Sequence, residues 1–141
     1  MTRFQKLIDA WVRGERNPAP IAELVGFRLA SFTDGVARVE MEAGSRHHNP
    51  MGFVHGGVLC DMADAAMGVA MAATLEDGES FATLQLSASY LRPVREGKLV
   101  VNGWVVHRGR ANGHVEAEMA DGEGRLVARF TSTCAVTRNH G

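Results

Sequence analysis

Asn49-Pro-Met-Gly-Phe-Val-His55-Gly-Gly57 runs directly into Val58–Ala73, an apolar segment broken only by Asp61 and Asp64. The stretch puts a glycine-rich turn at the mouth of a helix and a carboxylate two turns inside it. Free backbone N–H groups at a helix N-terminus stabilise developing negative charge. A carboxylate in apolar surroundings serves as base or nucleophile. The pair points to acyl transfer. The segment falls short of the ~20 apolar residues that span a bilayer, so it reads as a buried helix.

Outward from this helix the period of the sequence changes. Before it, Phe4, Leu7, Ile8, Trp11 and Val12 follow i, i+3, i+4, i+7, i+8 spacing, which predicts a helix over residues 3–13. Asn17-Pro-Ala-Pro20 stops it, and Pro20–Val25 supplies one more helical turn. Two strands joined at Asp34-Gly35 form a hairpin, and residues 43–54 are a loop carrying His47, His48 and Asn49. The central helix is expected from about His55 to Leu75, ended by Glu76-Asp77-Gly78-Glu79. Four strands follow, at Ser80–Arg92, Lys98–Arg108, His114–Asp121 and Arg125–Thr137. Their expected turns are Glu96-Gly97, Ala111-Asn-Gly113 and Asp121-Gly-Glu-Gly124. Strands run around a single long helix, so the class is α+β, an antiparallel sheet wrapped on that helix.

The 141 residues fit one domain, 1–141, with residues 1–18 as an N-terminal helical extension. A net charge of −1 gives no argument for nucleic acid or an anionic membrane. Two cysteines, Cys60 and Cys134, make no disulfide framework, and no basic-then-apolar leader opens the chain. The expected location is cytoplasmic.

The pattern Asn49-x-x-Gly52-x-x-His55-Gly56-Gly57, with Asp64 nine positions after the histidine, resembles the hotdog-fold acyl-CoA thioesterases. It is most similar to the phenylacetate-pathway and 4-hydroxybenzoyl-CoA thioesterase type. The resemblance covers roughly residues 20–137, including Thr83 and Tyr90-Leu-Arg-Pro93. It implies Asp64 as general base or nucleophile, the Gly57 amide as oxyanion donor, and Asn49 as the group that positions water or thioester. It implies that Thr83 orders the attacking water and that His55 holds the turn or polarises the site. The family's Glu-bearing subtype has a Thr one turn after the acid; Gly68 stands there in this chain.

Spacing adds a constraint. Gly57 and Asp64 are seven residues apart, about 10 Å along one helix at 1.5 Å per residue. One carbonyl cannot sit within ~3 Å of both. If both act, they come from different copies of the chain and the active unit is a homodimer; the resemblance implies a homodimer or a homotetramer. The expected substrate is an acyl- or aryl-CoA, cleaved to a carboxylic acid and free coenzyme A, with no cofactor and no metal. Gly56 suits close substrate approach to the backbone. Arg92, Arg95, Arg108 and Arg110 are candidates for the coenzyme A phosphates, Tyr90 belongs to the same binding group, and Met51 and Met67 are candidates to line the acyl pocket. Two alternatives stay open: an acyl-thioester dehydratase or hydratase using His55, and a non-catalytic acyl-CoA-binding module.

Overall fold

A computed structural model describes residues 1–139 of the chain. The last two residues of the expected 1–141 domain lie outside the described residues. In chain order the elements are α1 (Arg3–Val12), α2 (Pro20–Val25), β1 (Phe27–Thr33), β2 (Val36–Ala43), α3 (Gly56–Ala72), β3 (Glu79–Tyr90), β4 (Gly97–Arg108), β5 (Asn112–Asp121) and β6 (Leu126–Arg138). A short 3₁₀ turn, Ser45–His47, precedes α3.

All six strands form one antiparallel sheet in the order β1-β2-β4-β5-β6-β3. The connection from β2 to β3 therefore crosses the sheet, and α3 is the segment that makes the crossing. Its buried face (Leu59, Met62, Ala63, Ala66, Met67, Ala70 and Met71) meets the inward residues of β2, β4 and β5, including Val39, Val101 and Val115. Strand periodicity supplies the other half of this core, since successive residues alternate between faces. Helix and sheet come into backbone contact at Gly103. A Cβ there would lie 2.9 Å from the Ala66 carbonyl carbon and 3.0 Å from the Met67 nitrogen.

Helix α1 opens on a capping box. Thr2 Oγ1 accepts from the Gln5 N–H at 3.2 Å, and Gln5 Oε1 accepts from the Thr2 N–H at 3.0 Å. Its apolar stripe packs against β1 and α3 through the buried Ile8. Two polar contacts tie its start to the far end of α3. Gln5 Nε2 donates to the Ala73 carbonyl (3.1 Å), and the Arg3 N–H donates to Asp77 Oδ1 (2.9 Å).

Two boundaries differ from the sequence expectation. Helix α3 ends at Ala72 rather than near Leu75, because the Thr74 and Leu75 N–H groups bond three residues back and the Thr74 hydroxyl takes the Met71 carbonyl. Gly78, at φ +89°, serves the turn into β3 instead of capping the helix. The β4–β5 turn falls on residues 109–111, closed by the Gly109 N–H on the Asn112 carbonyl (2.7 Å). Asn112 and Gly113 are already paired with β6 opposite Ala135 and Cys134. Their turn-forming residue types were outweighed by the ladder on both sides.

Candidate active site

His55 is the N-cap of α3, with extended backbone at φ −60° and ψ 135°. Its Nδ1 accepts the Gly57 N–H at 3.0 Å. The donor expected to hold the thioester oxygen is thus paired with the residue that opens the helix. Gly56 is pressed under Tyr90: a Cβ would sit 2.8 Å from the ring carbon Cζ and from the hydroxyl oxygen. The Tyr90 hydroxyl donates to the Gly56 carbonyl (2.9 Å) and lies 3.2 Å from Cys60 Sγ. Burial, then the Cys60 thiol, push the Tyr90 phenol up to about 12, so it stays a donor across the neutral range. Sequence reading placed Tyr90 in substrate binding; the structure places it against the Gly56–Gly57 turn.

Asn49 organises the loop before the helix. Its Oδ1 accepts the N–H groups of Met51 (2.9 Å) and Phe53 (3.2 Å), and its backbone N–H donates to the Phe53 carbonyl (2.7 Å). The oxygen is thus spent on the loop, and the side-chain NH₂ is the half of the amide that these bonds do not use. The Val54 N–H donates to the Val94 carbonyl (2.8 Å), joining this loop to residues 91–96. There Arg92 and Arg95 are exposed, and the Arg95 guanidinium lies 4.6 Å from the centroid of Phe53. His48 Nε2 bonds the Arg95 carbonyl at 2.6 Å. His47 is buried, with Nδ1 accepting the Gly44 N–H and Nε2 donating to the Val25 carbonyl. Both of its ring nitrogens are therefore used in holding the loop. Among the described residues no group of three or more His, Cys, Asp or Glu side chains is placed to hold a metal ion.

Asp64 stands two turns into α3. Desolvation pushes its carboxyl above the ordinary Asp value, the Asp61 carboxylate adds to the rise, and the nearby Thr83 hydroxyl restrains it. Thr83 stands on β3, where it pairs with Cys134 of β6 and its hydroxyl lies 3.9 Å from the Cys134 Sγ. The expected acid and the expected water-ordering hydroxyl thus lie on neighbouring elements, α3 and β3, of one protomer. The β3 strand lies at the sheet edge and carries an exposed Leu84.

Asp64 and Asp61 line an apolar cavity of about 310 Å³, closed on one side by Phe4, Leu7 and Trp11 of α1 and on another by Phe27. Neither Met51 nor Met67 belongs to it. Met51 is exposed in the loop, and Met67 is 1% exposed in the helix–sheet core, which corrects the expectation for that residue. The aromatic wall from α1 went unrecognised because its apolar spacing announces a buried face without naming what the face covers. A larger cavity of about 690 Å³ lies on the opposite side of α1, against Phe32 and Trp104; neither α3 carboxylate lines it.

Arg108 is committed elsewhere. It pairs with the buried Glu79 (2.9 Å) and donates to Thr74 Oγ1 (3.1 Å). That contact sets it beyond the C-terminal end of α3, about 25 Å of helix away from the Gly56–Gly57 turn. Arg110 is exposed in the adjoining turn.

The sequence model described as the thioesterase superfamily matches residues 51–128, the span from the Asn49 loop through β3, β4 and β5. The chain belongs to that superfamily. A 1,4-dihydroxy-2-naphthoyl-CoA hydrolase from Listeria monocytogenes is 26% identical over 118 residues, covering 84% of this chain and 96% of the relative. The structure of a phenylacetic acid degradation-related protein from Ralstonia eutropha superposes with a TM-score of 0.81 at 34% identity, covering 91% of this chain and 98% of that one. A thioesterase from Haemophilus influenzae superposes at 0.84 with 22% identity, over 99% and 95% of the two chains, a likeness of fold. The architecture is the hotdog fold, α+β, and this member of the thioesterase superfamily is a thioester hydrolase. No helix among its described residues is long and apolar enough to cross a membrane.

Proposed function

We propose that the protein is an acyl-CoA thioesterase whose site is shared between two copies of the chain. The observation that carries this reading is Asp64, a carboxylate with a raised pKa that lines an apolar cavity, with the Thr83 hydroxyl close enough to restrain the rise. In each site Asp64 and Thr83 of one protomer face the Gly57 N–H of the other. Asp64 attacks the thioester carbon, or takes a proton from a water held by Thr83. The thioester oxygen gathers charge and draws the Gly57 N–H away from His55. One such donor contributes about 3 kcal/mol to transition-state stabilisation. The tetrahedral intermediate collapses with loss of the coenzyme A thiolate. The water route leaves the carboxylic acid directly. The attack route leaves an acyl–Asp64 anhydride, which a water molecule hydrolyses to the acid and the free Asp64 carboxylate.

Coenzyme A as the carrier is supported by Arg92 and Arg95, exposed and joined to the loop that carries Asn49. Their guanidinium forks suit phosphate geometry. The 1,4-dihydroxy-2-naphthoyl-CoA hydrolase from Listeria monocytogenes acts on a coenzyme A thioester, which agrees with this carrier. Edge strand β3 with its exposed Leu84 is the surface on which a second copy pairs, extending the sheet across a two-fold axis.

The test is complementation. Gly57→Pro removes the N–H and is tolerated in the first turn of a helix. Asp64→Asn removes the base. Each variant alone is expected to be inactive. Unfolded and refolded together in equal amounts, they regain about a quarter of wild-type thiol release, because half the dimers are mixed and each mixed dimer holds one intact site. No recovery, with mixed dimers present, sinks the shared site.

A further inference from the structure

We propose that α1 is the outer wall of the acyl pocket, and that Phe4, Leu7 and Trp11, lying over Gly68, limit the length of an uncharged, apolar acyl group. The inference rests on the thioesterase reading and adds to it the substrate class and the residues that select it.

The cavity beside Asp64 follows α3 from Asp61 to Ala72. From Asp64 to Ala72 it extends about 12 Å along the helix at 1.5 Å per residue. An acyl group whose carbonyl carbon is at Asp64 has this trough as its continuation. Gly68, one turn further on, contributes no side chain to the floor. A Cβ there would make only an ordinary contact, 3.7 Å from Phe81 Cζ, so the helix has room for a side chain and the trough is open because none is present. The volume of about 310 Å³ is roughly twice the ~150 Å³ apolar cavity that accommodates benzene.

The chemistry of the lining selects against charge. Asp61 and Asp64 are its ionisable groups among the described residues, and the rest is aromatic, aliphatic, proline or glycine. An acyl group ending in a second carboxylate would be desolvated against two like charges. A hydrocarbon chain or ring loses water on entry and gains in proportion to the apolar surface it buries. The wall is also separable from the rest of the fold. Helix α1 is held by Ile8 and by the Gln5 and Arg3 contacts at its start, leaving the Phe4, Leu7 and Trp11 face to the cavity.

The experiment is thiol release from a ladder of saturated acyl-CoAs, four to twelve carbons long, together with succinyl-CoA. Wild type, Trp11→Ala, Gly68→Leu and Asp61→Asn are compared. The ratio of kcat/KM for the longest to the six-carbon substrate is expected to rise about tenfold in Trp11→Ala and to fall about tenfold in Gly68→Leu. Succinyl-CoA is expected to be used about a hundredfold less well than butyryl-CoA, with the gap narrowed in Asp61→Asn. Wild-type turnover with unchanged ratios in the variants overturns the wall and leaves thioester hydrolysis standing. Absence of wild-type turnover on every substrate instead strikes the hydrolase reading. The wall is then read by Trp11 fluorescence in a Trp104→Phe, Asp64→Asn protein, which also serves if Trp11→Ala does not fold. Octanoyl-CoA is expected to shift the emission and free coenzyme A to leave it; the same response to both overturns the proposal.

Discussion

The Nδ1 of His55 accepts the backbone N–H of Gly57 at 3.0 Å, so the first turn of α3 is closed by a side chain two residues earlier. This is an N-cap built from histidine in place of the usual Ser, Thr, Asp or Asn. It satisfies a backbone donor that the helix leaves free, the same donor that the proposed mechanism turns to the thioester oxygen.

A cap of this kind has a measurable worth. His55→Ala is expected to cost about 1 kcal/mol of stability, and His55→Asn, which restores an accepting side-chain oxygen, is expected to recover most of it. In a chain of this length 1 kcal/mol lowers Tm by roughly 2–4 °C. Thermal unfolding of the two variants checks this. Equal losses in both would show that the ring is held for a reason other than capping.

Asp64 carries the opposite sign. Its folded pKa lies above the unfolded value, with desolvation as the main cause and Asp61 as the second. Its contribution to stability is fully present below the unfolded pKa and is lost as pH rises through the folded one. Ionised Asp64 therefore destabilises the fold at neutral pH. Asp64→Asn is expected to raise Tm at pH 7, to leave it nearly unchanged in acid, and to lower kcat at least about a hundredfold. In wild type, kcat/KM rises with pH through the elevated Asp64 value. A Tm that falls at pH 7 in the variant would contradict the sign.

What was readable in the sequence divides along physical lines. Period-2 alternation and turn residues located β1 to β6 within a few positions, and the Pro20 and Gly35 breaks are where the chain turns. Asp64 stood out because an acid in an apolar helix is costly without a purpose. What failed was long-range partnership. Nothing local says that Arg108 belongs to Glu79, 29 residues earlier, or that the stripe of α1 covers the Asp64 face of α3. Met67 looked available for a pocket on composition, yet its position in α3 turns it into the sheet. Asn112-Gly113 reads as a turn until β6 pairs with it.

The Gly56–Tyr90 contact predicts coupling. Gly56→Ala would put a Cβ 2.8 Å from the Tyr90 ring and hydroxyl, displacing the phenol or the helix start. Tyr90→Phe removes the donor to the Gly56 carbonyl and is expected to cost about 1 kcal/mol. Gly56→Ala is expected to be damaging in the wild-type background and far less so with Tyr90→Ala, since the clash goes with the ring. A double-mutant cycle on Tm and kcat measures this; strictly additive effects would mean that the two residues do not share one constraint.

Glu79 gives the last prediction, and it concerns acid stability. The carboxylate is buried at the start of β3, where Oε1 accepts the Glu76 N–H (2.8 Å) and meets Arg108 (2.9 Å), while Oε2 lies 3.1 Å from Arg138. The Glu76 N–H first, and then Arg108 and Arg138, hold it below the usual Glu range against the penalty of burial. A depressed folded pKa stabilises the protein above the unfolded value, and this contribution is lost as pH falls through the folded one. Removing the charge leaves the half-buried Arg108 without its partner at the junction of α3, β3 and β4. Glu79→Gln is therefore expected to lower Tm at pH 7 and to flatten its decline between about pH 5 and pH 3, the range in which carboxylates take up protons. Because this ion pair sits at the end of α3 opposite the Gly56–Gly57 turn, kcat at a temperature well below the new Tm is expected to stay within about twofold of wild type. A large kcat loss in a folded Glu79→Gln protein would place this network in the active site.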